Sequence, residues 1–163
     1  MRSSKEIKFI VDDMLGKLAK WLRVMGYDVL YFKTIPDRRL IQKAIEDDRI
    51  ILTRDTHLIT RRALKNREWI LIKDDDFERQ LKQVIEELNL DVKNGLLTRC
   101  LECNQELGSI SKELAAHKVP AYVYKTQENF FRCPGCQRIY WQGSHWARMV
   151  AKIREITRQA REF

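Results

Sequence analysis

Ile7-Lys8-Phe9-Ile10-Val11-Asp12-Asp13-Met14-Leu15 decides how the chain is read, because its hydrophobic period changes within it. Ile7 to Val11 is a short β-prone run that ends on Asp12 and Asp13. From Met14 to Met25 the apolar residues Leu15, Leu18, Leu22 and Met25 recur at steps of three and four, the spacing of an amphipathic helix. Asp13 is the expected N-cap and Gly26 the expected stop. Working outward, Asp28 to Phe32 reads as a second strand, and Pro36-Asp37 opens a helix with Leu40, Ile41, Ala44 and Ile45 inward. Arg49 to Thr53 is a third strand, followed by Asp55 and a short helix through Leu64. Trp69 to Lys73 is a fourth, and Asp74-Asp75-Asp76 caps a helix carrying Phe77, Leu81, Val84, Ile85 and Leu88. Strict alternation predicts an α/β fold of right-handed βαβ units, with a parallel sheet covered by helices on both faces.

The chain has 163 residues, 44% hydrophobic and 33% charged, with 3 Pro and 6 Gly. Those proportions exclude a disordered or collagenous chain. No apolar run reaches membrane-spanning length, and Met1-Arg2-Ser3-Ser4-Lys5-Glu6 lacks the pattern of a secretory leader. The expectation is a cytoplasmic protein with no membrane partner. The formal net charge is +8, with residues 95–163 holding 11 basic against 6 acidic side chains. Such a surplus favours polyanions, nucleic acid first, because neutralised phosphates release counterions.

Cys100, Cys103, Cys133 and Cys136 form two C-x-x-C pairs and are the chain's four cysteines. Two such turns can complete a tetrahedral Zn²⁺ shell. Two disulfides are disfavoured in a reducing cytosol, and redox proteins use one such pair rather than two. Four thiolates leave no open position, so the zinc is expected to be structural. Asn94-Gly95 marks the expected boundary between an α/β domain, residues 1–94, and a four-cysteine ribbon with a basic closing helix, residues 95–163. Between the cysteine pairs, Val119, Tyr122 and Tyr124 suggest short β segments, and Trp146 to Ile156 reads as the closing helix.

In open α/β sheets, ligands gather beyond the carboxyl ends of the strands. Asp12 ends the first strand, Asp37 opens the helix after the second, and Asp55 follows the third. Their convergence would suit Mg²⁺ or Mn²⁺, which prefer oxygen ligands, and metal-assisted phosphodiester hydrolysis.

These residues resemble the Mut7-C RNase family, a branch of the PIN-like nucleases. The resemblance runs from Phe9 to Asp28, through Ile50-Ile51-Leu52-Thr53-Arg54-Asp55, into Arg99–Asn104, Phe131–Cys136 and Tyr140–Trp146. It implies a PIN-like three-layer domain, a small C-terminal zinc ribbon and metal-dependent cleavage of RNA. By motif position it makes Asp12, Asp37 and Asp55 the acidic ligands, with Asp74 the candidate for a fourth and Asp13 at a variable position. Thr53, expected to orient Asp55 or a metal-bound water, and Asp13 are the expected supporting residues of the catalytic site. Lys17, Lys20, Arg23, Arg54, Arg132 and Arg148 are candidate phosphate contacts, and Tyr140, Trp141 and Trp146 candidate stacking surfaces for unpaired bases. The rival expectation is a zinc-ribbon protein that binds RNA or DNA and cleaves nothing.

Overall fold

The fold was analysed in a computed structural model in which residues 6–161 are described; the chain start that was read for a leader falls largely outside them. Four strands, β1 (Lys8–Val11), β2 (Asp28–Tyr31), β3 (Ile50–Thr53) and β4 (Trp69–Leu71), form one sheet in the order β2-β1-β3-β4, all parallel. Helices α1 (Gly16–Val24) and α3 (Phe77–Leu88) cover one face and α2 (Asp37–Glu46) the other.

The strand alternation explains this layering. Phe9, Val11, Ile50 and Leu52 point into a large core with Leu18, Leu22, Leu81 and Val84. Ile10 and Ile51 point the opposite way, onto Leu40, Ile41 and Ala44 of α2 and onto Leu58 and Leu64. The short helix expected before Leu64 is instead two 3-10 turns, Leu58–Thr60 and Arg62–Leu64.

The first helix begins later than its apolar spacing suggests. Asp12, not Asp13, is the cap: it leaves β1 in an extended conformation and its side chain accepts from the Met14 N–H at 3.4 Å. A 3-10 turn over Asp13–Leu15 follows, and α1 starts at Gly16, where a Cβ would lie 2.8 Å from the Tyr31 hydroxyl. Gly26 stops the helix at φ 91°, and a side chain there would strike the Gly95 carbonyl at 2.3 Å. Gly95, in the expected boundary Asn94-Gly95, is therefore held against the end of α1.

The C-terminal part carries an antiparallel sheet, β5 (Gly108–Ile110), β6 (Phe130–Arg132) and β7 (Ile139–Tyr140), in that order. No strand forms at Val119, Tyr122 or Tyr124: Val119 lies in the bend between α4 (Lys112–Ala115) and α5 (Ala121–Thr126), and both tyrosines belong to α5. Pro120 fixes the backbone ahead of α5, and Val123 packs on Ala115 and Phe130. The closing helix α6 (Ser144–Arg161) turns its Ile153 and Ile156 back into the larger core, beside α3.

Arg23 is a buried exception on α1, 6% exposed. Its guanidinium donates to the Val29 carbonyl at 2.7 and 3.0 Å and to the Leu101 and Glu102 carbonyls at 2.9 and 3.2 Å. Arg23→Met keeps most of the side-chain volume but leaves these acceptors unmet. It should lower unfolding stability by about 1–3 kcal/mol, read from the denaturant midpoint at neutral pH.

Candidate functional site

Two clusters of chemistry-bearing side chains stand out. In the first, the Sγ atoms of Cys100, Cys103, Cys133 and Cys136 all lie within 4.8 Å of one another, a group that could bind zinc. The Cys100 and Cys136 sulfurs are 3.7 Å apart, close to the edge of a tetrahedron with Zn–S bonds of about 2.3 Å. The two halves repeat the same turn. Asn104 N–H donates to the Cys100 carbonyl and Cys100 N–H to Gln105; Gln137 N–H donates to Cys133 and Cys133 N–H to Arg138. Asn104 and Gln137 each take the left-handed conformation, φ 68° and 65°. The Cys103 and Cys136 amides donate to the first sulfur of their own pair, at 3.3 and 3.5 Å.

Tyr140 completes this environment. Its hydroxyl lies 3.1 Å from the Cys100 sulfur and accepts from the Leu101 N–H. Burial pushes the Cys100 thiol up, but hydrogen bonds from Tyr140 and from the Cys103 and Glu102 amides bring it down to about 7. Cys103 and Cys133 move the opposite way, Cys103 raised by its contact with Cys136 and Cys133 by burial, so the four sulfurs do not ionise together. The Tyr140 hydroxyl is committed here, and Trp141 packs on Phe130, with ring centroids 6.5 Å apart.

The second cluster lies at the carboxyl ends of the parallel strands. The chain steps from β1 out to β2 and then returns to β3 on the other side of β1, so the strand order reverses between β1 and β3. That crevice is where α/β sheets hold ligands. Asp12 and Thr53 face each other across it: the buried Thr53 hydroxyl donates to Asp12 Oδ2 at 2.7 Å and accepts from the Asp55 N–H at 2.9 Å. Thr53 therefore orients Asp12 rather than the Asp55 carboxylate. Asp55 Oδ1 accepts from the His57 N–H at 2.8 Å. Asp37 pairs with Arg61 at 3.6 Å, a partner that sequence reading missed because the two are joined only through packing of α2 on the 3-10 turns.

Burial pushes Asp12 up, yet hydrogen bonds with Asp13, Thr53 and the Met14 amide hold it below the usual carboxylate range. Asp13 moves the opposite way, raised by its hydrogen bond to Asp12, by partial desolvation and by the charges of Asp12 and Asp37. The carboxylates of Asp12, Asp37 and Asp55 share this rim without all closing to within 4.8 Å; among the described residues, the cysteines alone form a group that tight.

Other sequence-derived candidates are engaged elsewhere. Asp74 accepts from the Asp76 N–H and pairs with Arg79, while Asp76 caps α3, as expected of a capping run. Arg54 is not a free phosphate contact: its guanidinium donates to the Asp74 carbonyl at 2.8 Å and to the Asp75 carboxylate. Nor is Arg23, which is buried against backbone carbonyls. Lys17 sits 4.0 Å over the Phe77 ring, and Lys20 is exposed on α1. Arg132 belongs to β6 and Arg148 to α6.

A family model, the Mut7-C RNAse domain, matches residues 7–153. The chain belongs to the Mut7-C RNAse domain family. The match spans both clusters, so the thiolate group and the acidic rim are parts of one Mut7-C unit. No curated protein matches the chain.

The two parts meet at Asp28. Burial would raise its carboxyl, but hydrogen bonds from Arg49 and Asn104 and the charge of Arg49 hold it below the usual 3.8. A folded-state pKa below the unfolded one adds stability that is present above pH 3.8 and lost as pH falls through the folded value. Denaturant titrations across acid pH should therefore show a larger loss for the wild type than for Asp28→Asn, with the two curves converging at the acid end.

Proposed function

We propose that this chain is a metal-dependent ribonuclease whose acidic rim hydrolyses RNA phosphodiesters. The observation that carries the reading is the hydrogen-bonded pair Asp12–Thr53 across the β1/β3 switch point, with Asp55 tied to the same hydroxyl. Membership of a family described as an RNAse domain supports RNA as the substrate class.

The donor set is oxygen only, which suits Mg²⁺ or Mn²⁺ rather than softer metals. Asp12, Asp37 and Asp55 would hold such an ion, directly or through waters. When bound, it supplies a water of lowered pKa and positive charge for the anionic transition state. The protein's own contribution is orientation and proton bookkeeping. Thr53 fixes the Asp12 carboxylate and keeps one of its oxygens aimed across the crevice. The neighbours of Asp12 hold it ionised, while Asp13 beside it retains a proton more readily. Arg61 balances the charge of Asp37. Asp12→Asn should reduce Mn²⁺-dependent cleavage of single-stranded RNA at least about 100-fold while leaving RNA binding within a few-fold. A wild type that binds RNA but cleaves none with any divalent ion would leave the non-catalytic binding module instead.

The four cysteines are proposed to hold one structural zinc. The 3.7 Å sulfur separation and the paired turns support it. Elemental analysis should return about one zinc per chain, and stripping it with a chelator should lower the melting temperature.

A further inference from the structure

We infer that the RNA backbone is carried by the face built from α2 and the 3-10 turns, gripped by Arg38, Arg39, Arg61 and Arg62, rather than by the ribbon. This rests on the ribonuclease reading and names the surface that reading needs. The first observation is where the charge lies. Residues 33–43 hold four cations against Asp37, and residues 57–67 hold four with no acid. These two segments carry seven net positive charges, against +3 for the whole of residues 1–94. They pack together, since Leu40, Ile41, Ala44, Leu58 and Leu64 share one core.

The second observation is that part of this charge is paired and part is open. Lys43 pairs with Asp47 and Arg67 with Asp48. Arg38, Arg39 and Arg62 are exposed and form no ion pair among the described residues; Arg39 has a 3.5 Å hydrogen bond to Gln42. Arg61 reaches back to Asp37 at 3.6 Å, joining the basic face to the acidic cluster.

The third observation is a local rule only partly met: the acidic side chain in the first turn of α2, Asp37, is already paired with Arg61. Arg38 and Arg39 occupy the first turn of α2, at the positive end of the helix dipole, where acidic side chains are favoured and cations are not. Such a departure from helix chemistry is expected where function overrides folding. A phosphate backbone supplies the missing counter-charge. The ribbon is poorly placed by comparison. Its Asn104 contacts Asp28 and Val29 at the start of β2, about 10 Å of strand from the carboxyl end where α2 begins. Four thiolates and one zinc would also reduce the +5 of residues 95–163 to +3.

The test uses the full chain carrying Asp12→Asn, so that the probe stays intact, and a fluorescein-labelled oligouridylate followed by anisotropy between roughly 50 and 200 mM salt. Adding Arg38→Glu and Arg62→Glu should weaken binding at least about tenfold and flatten the salt dependence by about 1.4 in log–log slope, near 0.7 per lost phosphate contact on a single strand. Arg138→Glu with Arg148→Glu, on the ribbon and α6, should change affinity less than about twofold. Misfolding is separable, because a glutamate at position 38 suits the helix start and should leave the melting temperature unchanged or higher. The milder Arg38→Gln with Arg62→Gln should give a smaller shift in the same direction. An unchanged affinity and slope in the α2-face variant, a loss confined to the ribbon variant, or no RNA binding by the parent chain would each overturn the inference. Wild-type cleavage is scored separately: absent cleavage with binding lost on this face keeps the track and removes the nuclease.

Discussion

The outer edge of β2 is the constraint on which the arrangement depends. As the first strand in the order β2-β1-β3-β4, it presents backbone groups that no neighbouring strand satisfies. The second half of the chain closes that edge. Asn104 accepts the Val29 N–H at 2.8 Å, and Arg23 saturates the Val29 carbonyl while holding two carbonyls of the first cysteine turn. Asp28 accepts from both Asn104 and Arg49. A cysteine turn whose sulfurs could bind a metal thus doubles as a cap on the sheet, and its residue in the left-handed conformation, Asn104, is the one whose side chain performs the capping.

Much of this order is legible in the chain itself. Leu15, Leu18 and Leu22 fall on the buried side of the first helix, as their spacing requires, and the four cysteines meet as C-x-x-C spacing requires. Local pattern fails where distant partners decide. Arg23 reads as a surface cation because nothing near it in sequence shows the carbonyls of Leu101 and Glu102 that bury it. Tyr122 and Tyr124 have strand-forming side chains, yet Pro120 and the packing of Val123 on Phe130 turn the segment into a helix. Sequence proximity points Thr53 at Asp55 or a metal-bound water; its bond to Asp12 emerges only from the β1/β3 register, which sets Val11 beside Leu52.

The acidic rim and the basic face answer one electrostatic problem. On the ribonuclease reading proposed above, carboxylates at the rim would hold a hard cation but repel a phosphodiester, and cations beside them would reverse that repulsion. The division follows the topology. The exits from β1 and β3, and the segment that leads from β2 into α2, bring Asp12, Asp55 and Asp37 toward the sheet's carboxyl edge, whereas Arg38, Arg39 and Arg62 sit on the helix and turns that cover one face. Arg61, paired with Asp37, stands where the two meet.

Strand direction also sets what the thiolate cluster can do for the rim. Asn104 and Asp28 meet at the amino end of β2, and the acids lie beyond the carboxyl ends, so the cysteine turns supply no ligand there. Their influence must pass through rigid backbone. Gly26 and Gly95 are packed too closely for a side chain at either position, which leaves α1 and the segment leading to Cys100 little room to shift separately. The same α1 follows directly from the turn that Asp12 caps. Loosening the cysteine turns therefore releases both Val29 and the end of α1, and the first carboxylate of the rim is placed by the element that those contacts hold still.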